Sequence, residues 1–327
     1  MADLSTTYMG LELQNPFVVA SCSLSKDADG LRTCADAGAG AVVLKSLFEE
    51  QIWAGIEQTG QYTGALWHTE AVDYVEKMGL ALGPTEYLKL IEEAKRTVSI
   101  PVIASLNCTS SGVWVEYAKR IAAAGADGIE LNIAMMPSDP KRGAGEIEER
   151  YFQVVENVRS NADIPVAVKI GSHFTSIAQF ARQLQLRGAA ALVLFNRFYR
   201  LDVDIEKMAL APGYRFSSPH EMSIPLRWIA LLAGRLEIDL AASTGVHDGA
   251  GAVKQLLAGA TVVQLCSTLY LNGLETIGRI REFLESWMRG HGFDSIGQFR
   301  GKLSRMQSEK PEHYERLQYI KALVGIE

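Results

Sequence analysis

Two lysines stand where that side chain is least at home. Lys45 closes the run Ala41-Val42-Val43-Leu44 and Lys169 closes Val166-Ala167-Val168, so each puts an ammonium at the end of an apolar segment. An amine so placed loses hydration unless an anion or a polar cofactor compensates it. Two chemistries suit it: stabilising charge on an electron-rich ligand, or forming a Schiff base with a carbonyl substrate. Asn132 ends a third such run, Gly128-Ile129-Glu130-Leu131. Ser243-Thr244-Gly245-Val246 and Cys266-Ser267-Thr268 are small residues of the kind whose backbone N–H groups cradle a phosphate.

A four-fold pattern positions these groups. Gly38-Ala39, Gly125-Ala126, Gly188-Ala189 and Gly259-Ala260 each precede an apolar run ending on a polar or reactive group: Lys45, Asn132, Asn196, and Cys266 with Ser267. Glycine tolerates the left-handed conformation that closes a helix, and a uniformly apolar run fits a parallel strand buried on both faces. A second strand-opening signal recurs at Ile100 to Asn107, Ile164 to Lys169 and Ile238 to Ser243, and Pro16 to Ser21 supplies an eighth strand.

Helical apolar spacing fills the intervals over Glu86 to Thr97, Trp114 to Ala124, Ile147 to Ser160, Ser176 to Arg187 and Ala250 to Ala258. Strict alternation of strand and helix predicts the α/β class: a (β/α)8 TIM barrel over 1–327 as one domain, with long lid loops on its C-terminal face. The expected lids are Ser46 to Lys77, Ile133 to Glu146 and Arg197 to Ser223. Arg142-Gly143-Ala144-Gly145 reads as a flexible hinge of the middle lid, and Gly249-Ala250-Gly251 as a helix opening. Thr7 to Leu13 reads as a hairpin capping the barrel base, and Glu275 to Arg289 as an amphipathic helix before a polar tail.

The chain has 327 residues, 48% hydrophobic and 21% charged, with a net charge of -6, which argues against a nucleic-acid surface. Anionic ligands must therefore be held by local positive groups. No stretch approaches the roughly 20 apolar residues of a membrane span, and the first residues carry no signal-peptide pattern. A cytoplasmic protein without membrane contact is expected. Cys22, Cys34, Cys108 and Cys266 form no C-x-x-C pair and the six histidines no ligand pair, so no metal, iron–sulfur or disulfide site is expected. His173 and His247 read as exposed loop residues, and Trp53, Trp67 and Trp114 as packing residues.

The strand ends also resemble, in order, those of the dihydroorotate dehydrogenase family, FMN flavoproteins on a (β/α)8 barrel. The similarity rests on Asn15-Pro16-Phe17-Val18-Val19-Ala20-Ser21, Leu44-Lys45-Ser46, Glu130-Leu131-Asn132, Val168-Lys169, Phe195-Asn196, Thr244-Gly245-Val246 and Ala258 to Gln264. It implies FMN as cofactor, held by Ala20, Ser21, Lys45, Ser105, Asn132 and Lys169, with Ser243, Thr244, Gly245, Cys266 and Ser267 around its phosphate. It implies a substrate side made by Lys45, Asn132, Asn196 and Arg197. The reaction so implied is hydride transfer between a dihydroorotate-like cyclic amide and flavin N5, in pyrimidine biosynthesis. Family members often pair as homodimers, and reoxidation here calls for a soluble electron acceptor or a reductase partner.

The substrate side departs from the family pattern. Met135 falls where the family has its catalytic cysteine or serine, and a thioether cannot accept a proton. Met78-Gly79-Leu80-Ala81-Leu82-Gly83 lacks the family's substrate-binding asparagine, and Arg197 stands where the family often has serine or threonine. Ser138, Asp139 and Cys108 are the other candidate bases. Two rival readings remain: a flavin-binding protein without dihydroorotate turnover, and a phosphate-binding aldolase or isomerase using a lysine Schiff base.

Overall fold

The computed structural model describes residues 2–51, 83–108, 114–197, 201–212, 216–314, 320 and 324. Strands β1 (Thr6–Tyr8) and β2 (Leu11–Leu13) form an antiparallel hairpin, and β3 (Phe17–Val19) opens the barrel. It continues through β4 (Ala41–Val43), β6 (Val102–Cys108), β7 (Gly128–Ile133), β8 (Val166–Ile170), β9 (Ala191–Leu194), β12 (Asp239–Ser243) and β13 (Val262–Leu265). Every neighbouring pair is parallel, and β13 pairs back onto β3, so eight strands close a TIM barrel of the α/β class. A two-residue strand, β5 (Leu47–Phe48), adds to β6 beyond the end of β4.

The helices alternate with the strands as the apolar spacing predicts. They are α1 (Ala28–Asp36), α2 (Pro84–Thr97), α3 (Trp114–Ala123), α4 (Ala144–Arg159), α5 (Ile177–Leu186), α6 (Ser223–Leu232), α7 (Gly249–Ala258), α8 (Ser267–Asn272) and α9 (Thr276–His291). Asp27 and Asp248 cap α1 and α7 through the backbone N–H groups of Gly30 and Gly251, so Gly249-Ala250-Gly251 does open a helix. The four repeated glycines, Gly38, Gly125, Gly188 and Gly259, all take positive φ, from 88° to 117°. Each redirects the chain from a helix into the following strand.

Two-residue alternation sorts the strand side chains. Phe17, Val19, Val42, Val102, Val166, Leu192 and Leu240 join the large core under the helices. Val18, Val43, Ile103, Ala167, Val193, Ala241 and Val262 form a second core inside the barrel. Tyr8, Met9 and Leu13 of the hairpin pack into that inner core and stopper the barrel base. Met9 and Gly10, both at positive φ, make its tight turn, and Asp239 accepts a 2.7 Å hydrogen bond from the Met9 N–H.

Two loop expectations change. Gly143 is the extended N-cap of α4 and Gly145 lies in its first turn, so the Gly-rich segment begins a helix and is not a hinge. The connection after β9 holds a second antiparallel hairpin, β10 (Leu201–Asp204) and β11 (Ala209–Pro212), in which Val203 faces Leu210. Leu201, Val203, Ile205, Met208 and Leu210 are all exposed there. Trp53, Trp67 and Met78 to Leu82 lie outside the described residues, as does most of the first expected lid. Among the described residues no helix is long and apolar enough to cross a membrane.

Candidate active site

The alternation that fills the lower barrel with aliphatic side chains puts polar ones on the same inward positions near the strand ends. Ile103 is followed by Ser105, Ala167 by Lys169, Ala241 by Ser243, and Val262 by Gln264 and Cys266, while Val18 is followed by the small Ala20. A cavity of about 180 Å³ opens there. Ala20, Ser21, Lys169, Asn196, Arg197, Ser243, Thr244, Gly245, Cys266 and Ser267 line it, all of them predicted site residues.

Lys169 is 8% exposed and donates to Gln264 Oε1 at 3.3 Å, with Glu130 Oε1 3.6 Å away. Asn132 sits directly across the β7–β8 ladder from Lys169, and its Oδ1 is buried without a hydrogen-bond partner. Lys45 is placed differently. The strand ends two residues before it, its side chain is half-buried, and it does not line the cavity. Ser105 is fully buried and reaches the cavity wall through hydroxyls, with Ser105 Oγ 2.8 Å from Ser46 Oγ and Ser46 Oγ 3.0 Å from Ser21 Oγ. Tyr87 fixes it from behind, accepting from the Ser105 N–H and donating to its carbonyl.

At the other end of the cavity, Thr244 and Gly245 both take left-handed conformations, at φ 80° and 81°. A β-branched residue rarely does so, and the Thr244 hydroxyl donates to the Phe195 carbonyl at 3.2 Å. The chain returning from the β10–β11 hairpin closes this wall. The Ser217 N–H donates to Ser267 Oγ at 3.0 Å, and Arg197 is paired with Glu221 at 3.0 Å and with the Phe216 carbonyl at 3.4 Å. His247 is half-buried with its Nε2 3.3 Å from Ser217 Oγ, rather than being an exposed loop residue, and burial holds its pKa below the usual value. His173 is exposed.

Cys22 lies beside Cys266, whose thiol donates to it and draws its pKa down to about 7 against the opposing effect of burial. The same contact, with burial, pushes Cys266 up, and burial pushes Cys34 up to about 12.

The candidate bases are not gathered at the cavity. Met135 is half-buried and packs against the helix-side core, Ser138 is exposed, and Asp139 faces Arg142 at 3.5 Å. Cys108 ends β6 opposite Ile133, with its side chain outside the described atoms. The cavity also takes in Phe195, Ser217, Val246 and Gln264. Gln264 was legible as a polar interruption of Val262-Val263-Gln264-Leu265, just as Glu130 interrupts Ile129-Glu130-Leu131. Ser217 carries no local signal.

The sequence model of the family described as dihydroorotate dehydrogenase matches residues 3–288. The chain belongs to the dihydroorotate dehydrogenase family. Among its relatives is the dihydroorotate dehydrogenase B (NAD(+)) catalytic subunit of Methanothermobacter thermautotrophicus, 28% identical over 310 residues, covering 91% of this chain and 97% of that protein. The protein of the same name from Thermococcus kodakarensis is 28% identical over 309 residues, covering 92% of this chain and 98% of its own. That from Thermoplasma acidophilum is 25% identical over 300 residues, covering 90% and 97%. Members of the dihydroorotate dehydrogenase family bind FMN.

Proposed function

We propose that this chain is an FMN-dependent oxidoreductase passing a hydride between a dihydroorotate-like cyclic amide and flavin N5, in pyrimidine metabolism. The observation that carries the reading is the buried Lys169 ammonium in a cavity whose far wall is the left-handed Thr244-Gly245 turn. The residues present fit FMN. Lys169 in the lining offers a donor for a polar ring, Asn132 beside it on β7 is outside the lining but keeps an orphaned acceptor in Oδ1, and the Ser243 to Gly245 and Cys266-Ser267 backbones suit a phosphate.

FMN, when bound, supplies the two-electron acceptor. Lys169 would supply the positive charge that stabilises the more negative, reduced form of the group, an electrostatic contribution that costs no reorganisation during the reaction. Ala20 and Ser21, the latter linked through Ser46 to Ser105, would help hold the cofactor, while Asn196 and Arg197 would offer polar contacts to a substrate. Lys45, half-buried and outside the cavity lining, would add a second positive charge past the end of β4. The relatives named as catalytic subunits support a reductase partner or soluble acceptor for reoxidation. A homodimer of a cytoplasmic protein completes the proposal.

A second reading is favoured by Met135. Its thioether stands at the sequence position of the family's base, and neither Ser138 nor Asp139 lines the cavity, so the chain fits equally a flavoprotein acting on another substrate or through a partner. An absorption spectrum followed by anaerobic addition of dihydroorotate separates the two. A flavin spectrum that bleaches supports dihydroorotate as substrate; one that stays oxidised rejects it in favour of the second reading. A protein that takes up no flavin even on reconstitution overturns both and returns attention to Schiff-base chemistry, which borohydride trapping would reveal.

A further inference from the structure

We propose that Glu130 is a positioning residue that sets, through Lys169 and Gln264, how strongly the protein stabilises reduced flavin. This rests on the FMN reading. Glu130 does not line the cavity, and nothing in FMN binding or hydride transfer requires a carboxyl beneath its floor.

The three residues form a bar across the barrel. In the strand circuit β13 lies four places from β7, so Gln264 and Glu130 meet from opposite walls, and Lys169 on β8 joins them from the strand beside β7. Gln264 Nε2 donates to Glu130 Oε2 at 2.5 Å, which turns its own carbonyl toward Lys169 at 3.3 Å. Glu130 is 1% exposed and Gln264 2%, so water does not screen the contact. Glu130 Oε1 makes no hydrogen bond, and its compensation is the Lys169 ammonium 3.6 Å away.

From below, the fully buried Tyr8 adds a phenol whose pKa is pushed up by burial and by the Glu130 carboxyl. The ammonium has three N–H groups; Gln264 takes one, and Lys169 lines the cavity, so donor capacity is left for a ligand there. A ligand ring in the cavity therefore meets a cation whose field is offset by a carboxylate one layer deeper. Removing that carboxylate leaves the cation uncompensated and favours the reduced, more negative ring.

The test is the two-electron midpoint potential of bound FMN, measured by anaerobic equilibration with a reference dye. In Glu130→Gln, which keeps shape and the hydrogen bond to Gln264, the reduced-to-oxidised ratio at fixed potential is expected to rise at least tenfold, a positive shift of about 30 mV. Glu130→Asp, which draws the charge back by one methylene, should fall between it and the wild type, and decides the matter if the Gln variant does not fold. A purely structural role would lower thermal stability and flavin content while leaving the potential of bound flavin unmoved. An unchanged potential in a folded, flavin-loaded variant overturns the proposal for Glu130 while leaving the FMN reading intact; a wild-type protein that binds no FMN overturns both.

Discussion

Gly245 is held flush against Met222: a β-carbon at position 245 would lie 2.3 Å from the Met222 backbone nitrogen and 2.8 Å from its Cα. The turn that carries Thr244 and Gly245 is thus wedged against the start of α6, and its position is set by backbone that cannot give way. Gly245→Ala adds both this clash and a left-handed alanine, a cost of about 2 kcal/mol. The expected outcome is a lower thermal midpoint and at least tenfold weaker FMN binding by fluorescence titration. Gly145→Ala is the counterpart, with open space around its β-carbon and a helical position, and should instead stabilise by about 0.5–1 kcal/mol.

Met135 gives a gain-of-function test. If the missing base limits turnover, Met135→Cys should raise dihydroorotate oxidation by about 100-fold or more, the effect of a positioned general base. No gain in a variant that still binds FMN would place the obstacle in the substrate contacts, where Arg197 and the Ala81 region depart from the family pattern.

Acid should loosen the structure around His247, beside the Thr244-Gly245 end of the cavity. The pKa of His247 lies below its usual 6.5 because burial disfavours the cation. Below that value the unfolded chain binds the proton more readily than the folded one, so stability falls as pH drops through about 6.5. Thermal midpoints measured at about pH 7 and pH 5 should show the decline, and His247→Gln should flatten it.

Among the described cysteines, Cys22 should be the reactive thiol. With its pKa near 7, alkylation by iodoacetamide should rise with a midpoint at about pH 7, read peptide by peptide in a mass spectrometer. Cys266→Ala removes the donating thiol and should move that midpoint upward. Cys34, buried and pushed up to about 12, should remain unlabelled in the folded protein.

The barrel was legible because its strands are buried on both faces and its helices end on glycines that only a left-handed turn explains. Lys169, Asn196 and the Ser243 and Cys266 segments followed directly, since a polar residue at the end of an apolar strand has one place to go. Lys45 looked equivalent to Lys169, but β4 stops at Val43 and the strand geometry no longer controls the side chain two residues on. Gly143 and Gly145 misled because small residues serve both a hinge and a helix start. Ser217 reaches the cavity, and Glu221 its lining residue Arg197, only after a hairpin that leaves and returns, and no periodicity in the sequence records where such an excursion lands.

The hairpin lodged in the barrel base makes the molecule a blind well. Tyr8, Met9 and Leu13 fill the lower end, so small molecules come and go by the mouth at the strand ends. Under the flavin reading, electron donor and diffusible acceptor share one doorway and must take turns in it. Steady-state rates measured against both should then give parallel double-reciprocal lines, each reactant competing at high concentration for the place the other has just left.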